Sequence, residues 1–495
     1  MLSAATLVYC LFIFGGGEQL FRDSDTGWHI RSGEWILAHH ALPQTDPYSF
    51  SKAGQPWFLW EWGSDVLMGL TYRIDGFRGL TALVAVTLSA CSWLWCRLNF
   101  AAGGDFFLTA LFAPLMVTTA SLHWLARPHV FSWLFLLGAL LYAEFREEAA
   151  PARFGWAQFV AISAATAVWA NMHASFILAP AIAGVYALAH FARPLLWPLD
   201  LRTERAKARW FLCAALAAAA GSFLNPYGWR LHAHVLPYLL NDDLTSHVAE
   251  FQSFNFHDKD ATQIALTMGV AALGGTLALV RGRLSHFLLA VMFLWGGLRS
   301  ARVLPLVALA ILPLANGAAT DALRSAQGLR RPVRKMLDDA LGYSSRLRLI
   351  DRRLNGVGFL AVAILACLLL LRAPVFSNHI GFSRNRFPVD AIAAVEKLPP
   401  EARLLAPDSY GGYLIYSFNG VRKVFFDGRS DFYGADFMQQ YLMLINARPG
   451  WQEIVRAFGF THALLPEESA LKASLEQAGW VRLYQDRVAT LLEAR

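Results

Sequence analysis

The chain has 495 residues, 56% of them hydrophobic and only 16% charged, with a mean hydropathy of +0.38. That balance excludes an ordinary soluble globular protein and fits a multi-pass membrane protein. The net charge of +7 does not indicate nucleic acid, because the basic residues cluster in a few loops between apolar runs, where membrane lipid explains them.

The first apolar run, "MLSAATLVYCLFIFGGG", lacks a basic start and a small-x-small cleavage site. It reads as a first transmembrane helix rather than a signal peptide. Further runs follow, each of about the 20 residues needed to cross roughly 30 Å of hydrocarbon. Eleven spans are expected, near 3–19, 77–96, 105–122, 128–145, 155–171, 174–192, 209–224, 262–281, 285–298, 301–316 and 356–372. Cys10, Cys91, Cys96, Cys213 and Cys367 all lie in these runs, so neither disulfides nor a cysteine metal site is indicated.

Lys and Arg set the orientation. With the N-terminus cytoplasmic, the inner loops hold Arg193, Arg202, Arg205, Lys207, Arg209, Arg281 and Arg283. They also hold the basic stretch from Leu329 to Leu354, which reads as an amphipathic helix on anionic lipid. The outside then receives a long first loop (18–76), the turns "HWLARPH" and "ANMHAS", a second long loop (225–260), "LRSAR", and everything from residue 373 onward.

The first loop opens with "FRDSDTGWHIRSGEWI". In an extended segment Asp23 and Asp25 point the same way, as carboxylates do that share a divalent cation or remove a proton. Asp25 or Thr26 also suits the cap of a helix beginning near Gly27. His29 is a further candidate. Trp28 and Trp35 are spaced for an interfacial helix, and Trp57, Trp60 and Trp62 for an aromatic belt. Glu61 and Asp65 share a helical face, solvated by default, with Glu61 kept as a candidate. Asp46 before Pro47 reads as a turn former.

Arg127, His129, Arg299 and Arg302 lie at outer helix ends, where an unpaired charge must face a polar cavity or the interface. Arginines there either form an anion cradle for phosphate or snorkel to headgroups. His173 sits in an outer turn and suits hydrogen bonding or ligand contact.

After residue 373, "ARLLAPD", "KVFFDG", "THALLP" and "VRLYQD…VATLLEA" read as strands, with helical patterns at 389–397, 435–446, 450–458 and 468–478. That alternation predicts a small α/β domain with a mostly parallel sheet. "GGY" (411–413) reads as a tight turn or helix start. "FDGRSDFYG" carries Asp427 and Arg429, either as a strand-end ligand site or as a turn held by their pairing. The fold class expected is an α-helical polytopic membrane protein, residues 1–372, followed by an extracytoplasmic α/β domain, 373–495.

This layout resembles the GT-C superfamily of integral-membrane glycosyltransferases, which includes protein mannosyltransferases, oligosaccharyltransferases and aminoarabinose transferases. "DSDTGWHIRSGEWI", "ARPHVFSW", "WANMHASF", "LNPYG" and "FDGRSDFYG" also resemble a group of bacterial membrane proteins, over nearly the whole chain but without specifying a substrate. The GT-C resemblance implies a polyprenyl-phosphate-linked sugar donor and a glycan, lipid or protein acceptor. It implies the outer face of the bacterial inner membrane as the place of reaction. It also implies a first-loop carboxylate acting as base or as ligand to Mg or Mn, a role that falls by position on Asp23 or Asp25. Arg127, His129, His173, Arg299 and Arg302 would then meet the lipid phosphate. The protein mannosyltransferase pattern has its acidic pair adjacent, whereas Ser24 intervenes here. A lipid-linked glycan polymerase or ligase, a flippase-type transporter and a non-catalytic envelope assembly protein are the alternatives to transfer.

Overall fold

The computed structural model describes residues 1–14, 18–150, 152–258, 261–354, 357–373 and 380–495. Parts of the expected spans near 3–19 and 356–372, the end of the second loop, and the junction at 374–379 lie outside these residues. Helices occupy each of the eleven expected regions. Among the described residues, five are long and apolar enough to cross a membrane: Trp62–Ala101, Phe106–His123, Ala174–Leu196, Ala261–Val280 and Ala301–Arg324. Shorter apolar helices include Leu2–Ile13, Leu284–Arg299 and Leu360–Leu370. The protein is a polytopic helical membrane protein.

Local chemistry sets the helix boundaries. Trp62–Ala101 breaks at Asp75 and Gly76, where Gly76 has φ +56°. The kink separates a first-loop helix from the span that begins near 77. Asp105 accepts the Phe107 N–H (2.8 Å), and Asp200 the Thr203 N–H (3.0 Å), each capping the helix that follows. Small residues bring helices close: a Cβ on Gly317 would lie 2.1 Å from the Ala102 carbonyl oxygen, and one on Gly274 would lie 2.1 Å from the Ala315 Cβ. Membrane helices pack in this way because lipid gives no hydrophobic drive between them. Leu304–Arg324 is buried almost all round, as its apolar run from Leu304 to Ala315 requires.

The loops expected to share a face do share one. Residues from the first loop, both short turns, the second loop, the 298–302 turn and the C-terminal domain line a common cavity. The basic helix Arg331–Leu354 packs at the other end of the bundle, where the Phe106 N–H donates to Ser344 Oγ at 3.1 Å.

The C-terminal domain differs from expectation. Its four strands are β1 (Leu404–Leu405), β2 (His462–Pro466), β3 (Val481–Gln485) and β4 (Ala489–Glu493), in the order β1-β2-β4-β3. Only β1 and β2 are parallel; β4 runs antiparallel to both β2 and β3. Three residues between β3 and β4 permit a hairpin but not the crossover that parallel pairing needs. "KVFFDG" is not a strand of this sheet. Val424 instead bridges Ser49 of the first loop. "GGY" lies inside a helix, Asp408–Ser417.

The tryptophans also depart from the membrane-belt expectation. Trp28 and Trp57 are buried against each other, and the Trp62 indole donates to Asn171 Oδ1 at 2.7 Å. Trp28 and Trp57 pack in one core with residues of the C-terminal domain, and Trp62 is held by a neighbouring turn. Glu61 and Asp65 are buried too, which overturns the solvated face expected of them.

Candidate active site

A short 3-10 turn, Gln19–Phe21, ends two residues before Asp23, and the helix Asp25–His39 begins two residues after it. The segment is not extended. Asp23 Oδ1 accepts the Asp25 N–H at 2.9 Å, so the first carboxylate fixes the start of the helix that presents the second. Both then reach Arg127, Asp23 Oδ2 at 2.7 Å from Nη1 and Asp25 Oδ2 at 3.0 Å from Nη2. Arg127 is delivered by a turn stitched to the same segment. The Ala126 N–H donates to the Leu20 carbonyl (2.8 Å), and the Thr26 hydroxyl donates to the Ala126 carbonyl (3.0 Å). Pro128 follows and starts the helix His129–Glu148, as suits a residue with fixed φ and no N–H.

A third carboxylate completes the group. Glu250, from the second loop, places Oε1 2.9 Å from Arg127 Nη1 and Oε2 3.4 Å from Arg302 Nε. No motif marked Glu250 in the sequence. Its only signal is an acid set between Ala249 and Phe251. Arg22 and Arg386 were missed as well, and both line the cavity, which measures about 780 Å³. Among the described residues Arg386 makes no ion pair.

The electrostatics are uneven. Burial, reinforced by the Asp23 charge and opposed by Arg127, pushes the Asp25 carboxyl up to about 8. Burial likewise raises Glu61 to about 7. For Glu250 the burial penalty is outweighed by Arg127 and Arg302, which hold it below the usual carboxylate range. Burial works against the Arg127 charge, but Asp23, Glu250 and Asp25 together keep it firmly protonated.

Along the cavity wall, Glu61 faces two histidines. His173 Nε2 lies 3.4 Å from Glu61 Oε1, while its Nδ1 accepts the Ser175 N–H at 3.1 Å and so caps the turn after it. His29 Nδ1 lies 2.6 Å from Asp65 Oδ1, with Nε2 4.0 Å from Glu61. His129 also lines the cavity, its Nε2 2.7 Å from the His123 carbonyl oxygen.

Asp427 and Arg429 form a clamp. Arg429 Nε and Nη2 reach the two Asp427 oxygens, each at 2.7 Å, and Nη1 reaches Asp46 Oδ1 at 2.7 Å. The guanidinium stacks over Trp57 at 4.6 Å. Asp46 also accepts the Tyr48 and Ser49 N–H groups, so this turn former doubles as an anchor. Glycine contacts seat the clamp beside the acids. A Cβ on Gly428 would lie 2.0 Å from Asp25 Oδ1; one on Gly412 would lie 2.2 Å from the Ser24 carbonyl oxygen, and one on Gly27 2.2 Å from that of Gly412.

The structure therefore brings Asp23, Asp25, Arg127, His129, His173, Arg302, Glu61, Asp427 and Arg429 to one cavity, with His29 directly behind Glu61. Arg299 does not join them: it pairs with Asp242 at 2.6 Å on the exposed surface. For the Mg or Mn site expected at Asp23 and Asp25, the donor set does not fit as it stands. Both carboxylates address Arg127, and among the described residues no group of three or more His, Cys, Asp or Glu side chains is arranged to hold a metal ion.

The helical bundle carries, on one face, loops and a terminal domain that enclose an acid- and arginine-lined cavity, and its fold is that of a solved oligosaccharyltransferase, in line with the GT-C fold expected. The apo oligosaccharyltransferase of Archaeoglobus fulgidus aligns over 94% of this chain and 68% of its own, at 11% identity and a TM-score of 0.58. ArnT from Cupriavidus metallidurans, bound to undecaprenyl phosphate, aligns over 99% and 97%, at 13% identity and a TM-score of 0.41. No protein-family model and no curated protein sequence matches the chain.

Proposed function

We propose that the protein is a membrane glycosyltransferase that moves a sugar from a polyprenyl-phosphate-linked donor to an acceptor hydroxyl of a glycan, lipid or protein. One observation carries the reading. An acid pair, the partly buried Asp23 and the buried Asp25, meets Arg127 inside a cavity of about 780 Å³ that Arg22, Arg302 and Arg386 also line. A proton acceptor and anion-binding groups thus share one sheltered space, and the GT-C fold is in keeping with that use. The distribution of Lys and Arg between loops supports placing this face outside the bacterial inner membrane.

In this reading the acceptor oxygen attacks the anomeric carbon and the bond from that carbon to the phosphate oxygen breaks. The hydroxyl proton passes to Asp25, and the departing lipid phosphate keeps the electron pair of the broken bond. A base whose pKa lies near the working pH is well matched to such a step. The arginines stabilise the phosphate as its charge develops, an effect strengthened by exclusion of bulk water. Asp23 positions Asp25 through its backbone N–H and holds Arg127 beside it. Polyprenyl-phosphate sugars supplied to the purified protein should yield free polyprenyl phosphate and glycosylated acceptor. Asp25→Asn should abolish the product and Asp23→Asn reduce it, with thermal unfolding retained. Full activity in both variants would refute the scheme, and movement of donor across vesicles without product would indicate transport instead.

A further inference from the structure

The three carboxylates around Arg127 come from two loops more than two hundred residues apart, and all contact a single guanidinium. Asp23 lies at 2.7 Å, Glu250 at 2.9 Å and Asp25 at 3.0 Å. Three neighbouring carboxylates call for a cation, but here they are spread over the two terminal nitrogens of a protein side chain and, as placed, form no metal site. The Arg127 side chain is only 14% exposed. Its position is fixed from below by the bonds that tie Ala126 to Leu20 and Thr26. It is therefore as preorganised as a bound ion would be, at half the charge.

We propose that Arg127 is the resident cation of this centre: its guanidinium stands where a carboxylate-lined transferase would otherwise hold a divalent metal, and transfer proceeds without one. The inference rests on the glycosyltransferase reading and deepens it. Guanidinium suits the task because it offers several N–H donors in a rigid plane that matches phosphate oxygens, and it never loses its proton. Nη1 directs its two hydrogens at Asp23 and Glu250, whereas Nη2 has, among the described residues, one carboxylate partner, Asp25. The same group thus orients the base and is on hand for the leaving phosphate. Glu250, shared with Arg302, links the resident cation to a second arginine on the cavity wall.

The test combines chelation with metal binding read independently of turnover. Wild-type protein should transfer sugar equally well with EDTA and with Mg²⁺ or Mn²⁺, and should show no tightly bound Mn²⁺ by electron paramagnetic resonance. Arg127→Ala should lose about 10²- to 10³-fold in kcat, the usual effect of removing one charge-stabilising donor. As placed around the guanidinium, Asp23, Asp25 and Glu250 form no metal site; with Arg127 gone they lose their shared cationic partner and should close on a bound Mn²⁺. Arg127→Lys keeps the charge and guards against a folding defect in the alanine variant; it should retain part of the activity and bind no Mn²⁺. Wild-type transfer that stops in EDTA and returns with Mn²⁺ would overturn the proposal. So would tight Mn²⁺ binding by the wild type that Asp23→Asn removes, or a folded Arg127→Ala that binds none. Absence of transfer by the wild type under every condition would count against the glycosyltransferase reading, while the Mn²⁺ comparison would still decide the role of Arg127.

Discussion

Asp25 sets a pH dependence that can be worked out in advance. Its carboxyl is raised from the usual 3.8 to about 8 by burial and by the neighbouring Asp23 charge, with Arg127 opposing. A group of that pKa is ionised in about one molecule in ten at pH 7 and about one in a hundred at pH 6. If ionised Asp25 is the base, kcat/KM, which reports the free enzyme, should climb about tenfold per pH unit up to roughly pH 8 and level off above it. Stability should move the other way. The folded chain binds more protons at this position than the unfolded chain between about pH 4 and pH 8, so this contribution falls as pH rises through that window. The full displacement of about four units corresponds to on the order of 5 kcal/mol as an upper bound. Asp25→Asn removes the buried charge but leaves Arg127 its other two partners, so it should unfold at a higher temperature than wild type at pH 8 while being inactive. The assays are initial rates of polyprenyl-phosphate release from pH 5.5 to 9.5 and thermal unfolding of both proteins across that range. A kcat/KM profile that is flat from pH 6 to 9, or that breaks near 4, would show that Asp25 is not a buried base of this kind.

Two further outcomes follow from the contacts that brace the cavity. Arg429→Met would strand Asp46 and Asp427 as buried, unpaired carboxylates. The loss should be about 3–5 kcal/mol, typical of a broken buried ion pair, and read as a marked drop in unfolding temperature. Gly412→Val would force a Cβ to within 2.2 Å of the Ser24 carbonyl oxygen. It should cost at least the ~1–3 kcal/mol of ordinary overpacking and lower transfer with it, whereas Gly269→Val, in open space on a helix, should leave transfer intact.

Much of the bundle was legible because a membrane imposes a length and a polarity on every span, and Lys and Arg mark which loops lie together. Asp23, Asp25, Arg127 and His173 could be singled out because each is an ionisable group at the mouth of an apolar run. What the sequence concealed was tertiary. Glu250 carries no spacing signal and becomes part of the centre only when the second loop folds over the first. Glu61 and Asp65 looked solvated because helical periodicity cannot reveal that the entry helix, bearing His29, and a neighbouring turn, bearing His173, cover that face. The sheet was misjudged for a reason visible in the chain: three residues between Gln485 and Ala489 leave no room for a crossover. Gly411 and Gly412 looked like a turn, yet their lack of side chains serves the approach of one helix to the Ser24 and Phe426 carbonyls.

The glycine seam between Gly27 and Gly412 gives the order of synthesis a bearing on when the cavity forms. A polypeptide released early, before residue 408, would already carry the spans and the acids of the entry segment. It would lack the abutment that sets the helix of Asp25 and the bolt formed by Asp427 and Arg429. Such a fragment would have no closed cavity, because Asp408, Phe426 and Met438 join its wall only when the tail of the chain has closed over its head.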